Sequence, residues 1–199
     1  MNSERKARVL VFAGSLREGS YNRKLAREAA AAFERHGLET TLVDLRDYPM
    51  PIYNGDSEEA EGLPEMAKAF KRLLREHDAF AIATPEYNGS YPALVKNTID
   101  WATRREPGEP AMAAFIGKKA AILGASPGGR GAARGRKHLL ELMEALRVEI
   151  LPSQVAIGKA EEAFDAEGHL ARAEDREVLD RLAEELAQAP QTAPAGAGR

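Results

Sequence analysis

Short apolar runs alternate with amphipathic helical patterns along most of this chain, and this alternation constrains the fold more than any other feature. Val9–Ala13, Ala79–Ala83 and Ala120–Leu123 are continuous apolar runs, a pattern typical of strands buried on both faces. Between such runs, apolar residues recur at helical spacing, as at Leu25 and Ala29. The alternation predicts βαβ units, with a mostly parallel sheet and helices on both of its faces.

The remaining segments extend this pattern. Thr41–Val43 predicts a second strand, and Val148–Ile157 predicts a fifth strand that Pro152 breaks and places at an edge. Asp44–Gly62 is rich in proline, tyrosine and acidic residues and predicts a long loop. Apolar residues at four-residue spacing predict a last helix over Ala173–Ala187. The predicted fold class is therefore α/β, a doubly wound five-stranded parallel sheet.

Composition narrows the function classes. The 199 residues include no cysteine, which excludes thiol catalysis, thiolate metal sites and iron–sulfur clusters. A net charge of −3 argues against a nucleic-acid partner, because nucleic-acid binders usually carry a basic stripe. The four histidines lack the spacing of a metal site, so we expect no metal and place them at the surface or at helix ends.

Domain limits and location follow from the two ends of the chain. We predict one domain over residues 1–189, followed by a disordered tail at residues 190–199 that is rich in proline, alanine and glycine. Residues 1–8 carry no apolar region of signal-peptide type, and no stretch approaches the length of a membrane span. We therefore expect a cytoplasmic protein that does not bind membranes.

Ligands of doubly wound sheets bind beyond the carboxyl ends of the strands, and the loop after the first strand suits an anion. Gly14–Asn22 brings hydroxyls, Arg17 and backbone N–H groups to the start of a helix, which favours a phosphate. Gly19 is not followed by the lysine of a triphosphate-binding loop. Leu16 stands where a dinucleotide fingerprint needs glycine. A single terminal phosphate is the predicted ligand; the alternative is an ordinary helix cap beside a solvated arginine.

The loop after the third strand, Thr84–Pro92, suits a flat ligand. Asn88-Gly89 is a strong turn signal, and two prolines stiffen the ends of the loop. Two tyrosines and the backbone amides of the loop can pack against an aromatic ring and bond its polar edge. The alternative is an ordinary surface turn, although a long aromatic loop at the carboxyl end of a strand usually binds something.

Both loops resemble those of the NAD(P)H-dependent FMN reductase family. The resemblance lies in Gly-Ser-Leu-Arg-x-x-Ser-x-Asn from Gly14 and in Pro-Glu-Tyr-Asn-x-Ser-x-Pro-x-x-x-Lys-Asn-x-Ile-Asp-Trp from Pro85, and it spans roughly Val9 to Leu170. It implies a flavodoxin-like sheet that binds FMN, with the phosphate on the first loop and the ring against the other two. The residues it implies for FMN are Ser15, Leu16, Arg17, Ser20, Asn22, Pro85, Glu86, Tyr87, Asn88, Gly89, Ser126, Gly128 and Gly129.

The resemblance also implies an activity. NADPH or NADH would give hydride to the flavin, and a quinone, an azo compound, free flavin or a metal oxyanion would then take two electrons. A homodimer is implied and a tetramer is left open. No side chain is needed as an obligate acid or base, so no catalytic residue is nominated. Arg104 and Arg105 could reach a partner subunit or a nicotinamide phosphate, or be solvated. The alternative function is a flavodoxin-like electron carrier or flavin-sensing protein without steady-state reductase activity.

The loop after the fourth strand supports a rival reading. Gly124–Gly128 fits the Gly-x-Ser-x-Gly pattern of a hydrolase nucleophile, and Asp165 and His169 follow in the required order. The residue after the serine must donate its N–H to the oxyanion, but that residue is Pro127, which has none. Losing one such donor costs about 10²–10³ in rate. The hydrolase reading is therefore the weaker one.

Overall fold

The computed structural model describes residues 5–188, so the predicted tail at 190–199 lies outside the described residues. The strands are β1 (Arg8–Ala13), β2 (Glu39–Val43), β3 (Ala79–Ala83), β4 (Lys119–Ala125), β5 (Glu149–Ile150) and β6 (Val155–Ile157). The helices are α1 (Tyr21–Arg35), α2 (Gly55–Glu61), α3 (Glu65–Glu76), α4 (Ala93–Thr103), α5 (Ala133–Ala145), α6 (Ala160–Ala163) and α7 (Ala173–Gln188), with a 3₁₀ turn at Leu45–Asp47. None of the helices over residues 5–188 combines the length and apolarity that crossing a membrane requires.

The sheet is parallel throughout, in the order β2-β1-β3-β4-β5. The chain places β2 on one side of β1 and then β3, β4 and β5 in turn on the other side. This strand order is the flavodoxin-like form of a doubly wound fold. The fifth position is split, since β5 pairs with the start of β4 and β6 pairs with its end. Pro152 lies in this break. The structure confirms the predicted fold class and the broken edge strand.

Two apolar layers hold the helices on the sheet. Val9 and Val11 of β1 face α1 and α7, whereas Leu10 and Phe12 face α3, α4 and α5. All four side chains are at most 1% exposed, and burying a large apolar side chain contributes about 1.5–3 kcal/mol relative to leaving it in water. Helices therefore pack on both faces of the central strands, and this packing fixes the carboxyl ends of β1, β3 and β4 at one edge of the sheet.

The sequence predicted a loop over the whole of Asp44–Gly62, but this segment contains the 3₁₀ turn and α2. Helix α2 buries none of its residues, so it lacks the apolar spacing by which the other helices were predicted. Asn54 begins it by accepting a hydrogen bond from the N–H of Asp56 at 3.0 Å. The four-residue α6 was likewise not predicted.

Candidate functional site

The loops that follow β1, β3 and β4 enclose a cleft of about 280 Å³, which we call the three-loop cleft. Its lining consists of Ser15, Arg17, Gly19, Ser20, Tyr21, Asn22, Pro85, Glu86, Tyr87, Ala125, Ser126, Pro127 and Glu161. Most of the residues implied for FMN, from all three loops, therefore meet in one place.

A second cleft, of about 440 Å³, adjoins the first and shares two lining residues with it. We call it the arginine cleft; its lining consists of Glu86, Ser126, Gly128, Gly129, Arg130, Ala132, Ala133 and Arg134. Three of the residues implied for FMN, Leu16, Asn88 and Gly89, are not in the lining of either cleft. The Leu16 side chain is 49% exposed.

The β1–α1 loop presents groups that suit an anion. Ser20 precedes the first turn of α1 but its hydroxyl makes no capping hydrogen bond, so the first N–H groups of the helix are not taken by that side chain. Arg17 is exposed and forms no ion pair with any residue between 5 and 188. A Cβ added at Gly19 would meet nothing within 4 Å. The hydroxyl, the N–H groups and the guanidinium together can bind a phosphate.

Asn22, one of the residues implied for the FMN phosphate, lines the three-loop cleft and also joins two parts of the fold. Its side chain is buried, with Nδ2 donating to the carbonyl oxygen of Ala125 and Oδ1 accepting from the Ala125 N–H, both at 2.9 Å. Each polar atom of the carboxamide makes one of these two bonds. Asn22 therefore joins the β1–α1 loop to the end of β4 and sets the spacing of two walls of the three-loop cleft.

The β3–α4 loop forms a tight hairpin. The Tyr87 N–H donates to the Ser90 carbonyl at 2.9 Å, and the Ser90 N–H donates back at 3.1 Å. Asn88 and Gly89 have φ of 51° and 82°, the left-handed pair that a two-residue hairpin turn of type I′ requires. The predicted turn is confirmed. It leaves Tyr87 beside the cleft with 47% of its surface exposed.

Glu86 fastens this hairpin to α5. Its Oε2 accepts hydrogen bonds from the backbone N–H groups of Arg134 at 2.9 Å and Gly135 at 3.3 Å, so a side chain from another loop caps the start of α5. Contact there is close, because a Cβ at Gly135 would lie 3.1 Å from the Pro85 carbonyl oxygen. The hairpin and the first turn of α5 therefore act as one unit.

Glycines of the β4–α5 loop divide into two kinds. Gly131 has φ of 51°, and a Cβ there would lie 2.7 Å from the Ala156 carbonyl carbon, so packing excludes a side chain. At Gly128 and Gly129 a Cβ would meet nothing within 4 Å, which leaves bare backbone facing the arginine cleft. Arg136 supports the loop from below by donating from Nε to the Gly131 carbonyl at 2.8 Å, and burial lowers its pKa.

Two residues of α4 hold the segment before α2, a role that sequence reasoning missed. Asn97 accepts from the Tyr53 N–H at 2.8 Å and donates to the Pro51 carbonyl at 2.9 Å, and Trp101 Nε1 donates to the same carbonyl at 2.8 Å. The i, i+4 spacing of Asn97 and Trp101 was the available signal, because it places both on one face of the predicted helix.

The residues of the rival hydrolase reading do not form a triad: Asp165 accepts from the His169 N–H at 2.8 Å, but no hydrogen bond between residues 5 and 188 joins either of them to Ser126. The Ser126 hydroxyl bonds within its own loop, to the Gly128 carbonyl and the Ala132 N–H. The His169 ring instead contacts Glu28 at 2.9 Å. Between residues 5 and 188, no group of three or more His, Asp or Glu side chains is arranged to hold a metal ion.

Known proteins similar to this chain agree with one another. Residues 7–162 match the family model described as NADPH-dependent FMN reductase. The chain is 41% identical over 180 residues to an NAD(P)H-dependent FMN reductase of Pseudomonas aeruginosa, with 90% of this chain and 92% of that protein covered. It is 32% identical over 181 residues to a 2-hydroxy-1,4-benzoquinone reductase of a Burkholderia species, covering 90% and 94%.

A solved structure extends the likeness to three dimensions. The chain matches FerB, a flavoenzyme NAD(P)H:(acceptor) oxidoreductase of Paracoccus denitrificans, with a TM-score of 0.77 and 31% sequence identity. The match covers 91% of this chain and 95% of that one.

Proposed function

The chain belongs to the NADPH-dependent FMN reductase family, and from that premise we propose that it transfers two electrons as hydride from NAD(P)H, through bound FMN, to a small-molecule acceptor. It is an NAD(P)H-dependent, FMN-binding oxidoreductase. What the proposal adds is the division of labour among the residues of the clefts and the chemical class of the acceptor.

The FMN phosphate is assigned to the β1–α1 loop. Ser15 and Ser20 supply hydroxyls, Arg17 supplies a guanidinium without an ion-pair partner among residues 5–188, and α1 begins at this point with N–H groups that Ser20 does not cap. This is the observation that carries the proposal, because the start of a helix favours negative charge and an arginine can bind two phosphate oxygens at once.

The flavin ring is assigned to the space between the β3–α4 and β4–α5 loops. Pro85 and the Tyr87–Gly89 turn give one wall a fixed shape, and Glu86 ties that wall to α5. Gly128 and Gly129 place no side chain on their part of the other wall, so the backbone there can approach a planar ring closely. Leu16, at an exposed loop tip, is assigned an outer contact only.

When bound, FMN supplies the hydride acceptor and donor, and the protein supplies position. The three loops are held at fixed spacing by Asn22 and Glu86, whose hydrogen bonds cross from one loop to the next. A pre-set spacing lowers the entropic cost of bringing donor and acceptor into reacting distance. No side chain is assigned as an acid or base.

A quinone is the proposed acceptor class. One relative is a 2-hydroxy-1,4-benzoquinone reductase, 32% identical to this chain, and the exposed Tyr87 ring offers a flat apolar surface beside the cleft. Azo compounds, free flavin and metal oxyanions are alternatives that the same electron pair would reduce. NADPH or NADH as the electron donor, a homodimer and a cytoplasmic location stay predictions.

The test starts from the visible spectrum of the purified protein with added FMN. We expect a bound-flavin spectrum that bleaches when NADPH is added without oxygen, and steady NADPH oxidation when a benzoquinone is then supplied. FMN binding without turnover would favour the electron carrier. A protein that takes up no FMN would overturn the proposal.

A further inference from the structure

Arg130 and Arg134 line the larger of the two clefts, whose lining includes no residue of the β1–α1 loop that is assigned to the FMN phosphate. We propose that these two arginines form the subsite for the phosphate groups of the dinucleotide electron donor. The inference rests on the proposed function, which supplies a donor that carries a diphosphate.

Neither arginine is used by the fold. Among residues 5–188, the Arg130 and Arg134 side chains form no ion pair and no side-chain hydrogen bond, and both are exposed. The Arg134 side chain extends along α5 toward the hairpin, since a Cβ at Gly89 would lie 3.7 Å from its Cδ and 3.9 Å from its Nη1. Both guanidinium groups are therefore available at the rim of the cleft.

The other arginines considered for the donor are already committed. Arg104 donates from Nε to Glu58 at 2.8 Å and lies 5.3 Å from the Tyr53 ring centroid. Arg105 donates to the Glu109 carbonyl at 2.9 and 3.1 Å. Binding a phosphate at either place would first break these contacts, which Arg130 and Arg134 do not require.

The carboxylate in this cleft forms no ion pair with either arginine. Glu86 Oε2 is held by the N–H groups of Arg134 and Gly135 at the start of α5, and the guanidinium groups make no contact with it. A phosphate at the rim would meet two guanidinium groups that pair with no carboxylate among residues 5–188, and guanidinium groups bind phosphate oxygens well.

The proposed subsite lies next to the flavin site, because the two clefts share lining residues. The arginine cleft and the three-loop cleft have Glu86 and Ser126 in common. A donor whose nicotinamide stacks on the flavin ring can thus extend its diphosphate outward to Arg130 and Arg134 at the rim of the arginine cleft. The phosphate of FMN and those of the donor would lie on separate arginines, so neither ligand competes for the other's charge.

The test is a calorimetric titration of the FMN-loaded, oxidised protein, once with NADP⁺ and once with NAD⁺. Neither of these oxidised dinucleotides can reduce the flavin. The Arg130→Ala/Arg134→Ala double variant should bind NADP⁺ about 10- to 100-fold more weakly than wild type. A matched control is Lys137→Ala/Arg181→Ala, which removes two exposed positive charges outside the clefts. We expect it to retain affinity within about twofold, the effect of net charge alone.

Two arms locate the phosphate. If NADP⁺ weakens and NAD⁺ does not, the arginines bind the 2′-phosphate; if both weaken alike, they bind the bridging diphosphate. Either result supports the inference. Equal affinity of the double variant and wild type, an equal loss in the control, or no NADP⁺ binding by wild type would overturn it.

FMN occupancy, read from the visible absorbance of the same samples, separates the two proposals. Full occupancy with dinucleotide affinity independent of the arginines overturns only this inference. A wild-type protein that takes up no FMN overturns the proposed function and this inference with it.

Discussion

The carboxamide of Asn22 forms a closed pair of hydrogen bonds with the backbone of Ala125, 103 residues away, each 2.9 Å long. Asn22→Ala would leave a buried N–H and a buried C=O unpaired, so we expect it to lower the free energy of unfolding by about 2–3 kcal/mol and to weaken FMN binding. Urea unfolding and FMN titration measure the two effects. Asn54→Ala, which removes an exposed cap of α2, is the control and should cost about 1 kcal/mol or less without affecting FMN.

Arg17 is expected to matter for the ligand and not for the fold. Arg17→Ala should weaken FMN binding by about 1.5–3 kcal/mol, the range of a charged hydrogen bond, and leave the unfolding of the FMN-free protein unchanged, because the side chain has no ion-pair partner among residues 5–188. Arg72→Ala removes an exposed arginine from α3 and serves as control. Unchanged FMN affinity in Arg17→Ala would remove this residue from the site.

Glu86 offers a test in which the conservative variant separates geometry from charge. Glu86→Ala removes the acceptor that caps the first turn of α5. It should lower the free energy of unfolding by about 1–2 kcal/mol and weaken FMN binding. Glu86→Gln keeps an oxygen that can accept both bonds and should restore most of each loss. If Glu86→Ala unfolds in urea at the wild-type midpoint, the cap does not stabilise the loop.

The two kinds of glycine predict opposite phenotypes for the same added methyl group. Gly131→Ala should destabilise the protein by more than about 1 kcal/mol, because the new Cβ would lie 2.7 Å from the backbone of β6. Gly129→Ala should change stability by less than about 0.5 kcal/mol while weakening FMN binding. The idea would fail if Gly129→Ala were the variant that unfolds, or if it bound FMN like wild type.

His77 should make stability depend on pH. Its Nδ1 contacts the Leu73 carbonyl at 2.7 Å and Nε2 contacts the Thr41 hydroxyl at 2.8 Å, and burial lowers its pKa below the ordinary 6.5. The unfolded chain therefore binds the proton more readily, and stability should be complete above pH 6.5 and fall as the pH drops below it. Urea unfolding between pH 5 and 8 measures this slope, which should flatten in His77→Asn; the same slope in both proteins would exclude His77 as its source.

Elements with a buried face were predictable from the sequence. β1, β3 and β4 are continuous apolar runs, and α1 repeats apolar residues every four positions. Helix α2 buries nothing and is defined by the Asn54 cap and by Glu58, which bonds Tyr53 and Arg104. Those contacts involve side chains whose spacing along the chain carries no periodic signal. The histidines show the same limit, because His77 ends α3 as expected yet is only 2% exposed.

Chemistry at the site was predictable where single loops carry it. Each of two nine-residue loops carries its own signal: the loop after β1 contains hydroxyls and Arg17, and the loop after β3 contains the Asn88-Gly89 turn. The contacts between loops were not, because Asn22 bonds a residue 103 positions away and Glu86 one 48 positions away. Only the folded sheet, which sets the three carboxyl ends side by side, brings such partners together.

The split fifth strand has a consequence for how copies of this chain can associate. β5 and β6 are only two and three residues long, with Pro152 in the gap between them. An incoming strand needs a longer uninterrupted row of N–H and C=O groups to add to a sheet. The two short strands and the proline therefore disfavour β-augmentation at this border, which favours contacts made by side chains on this side of the molecule.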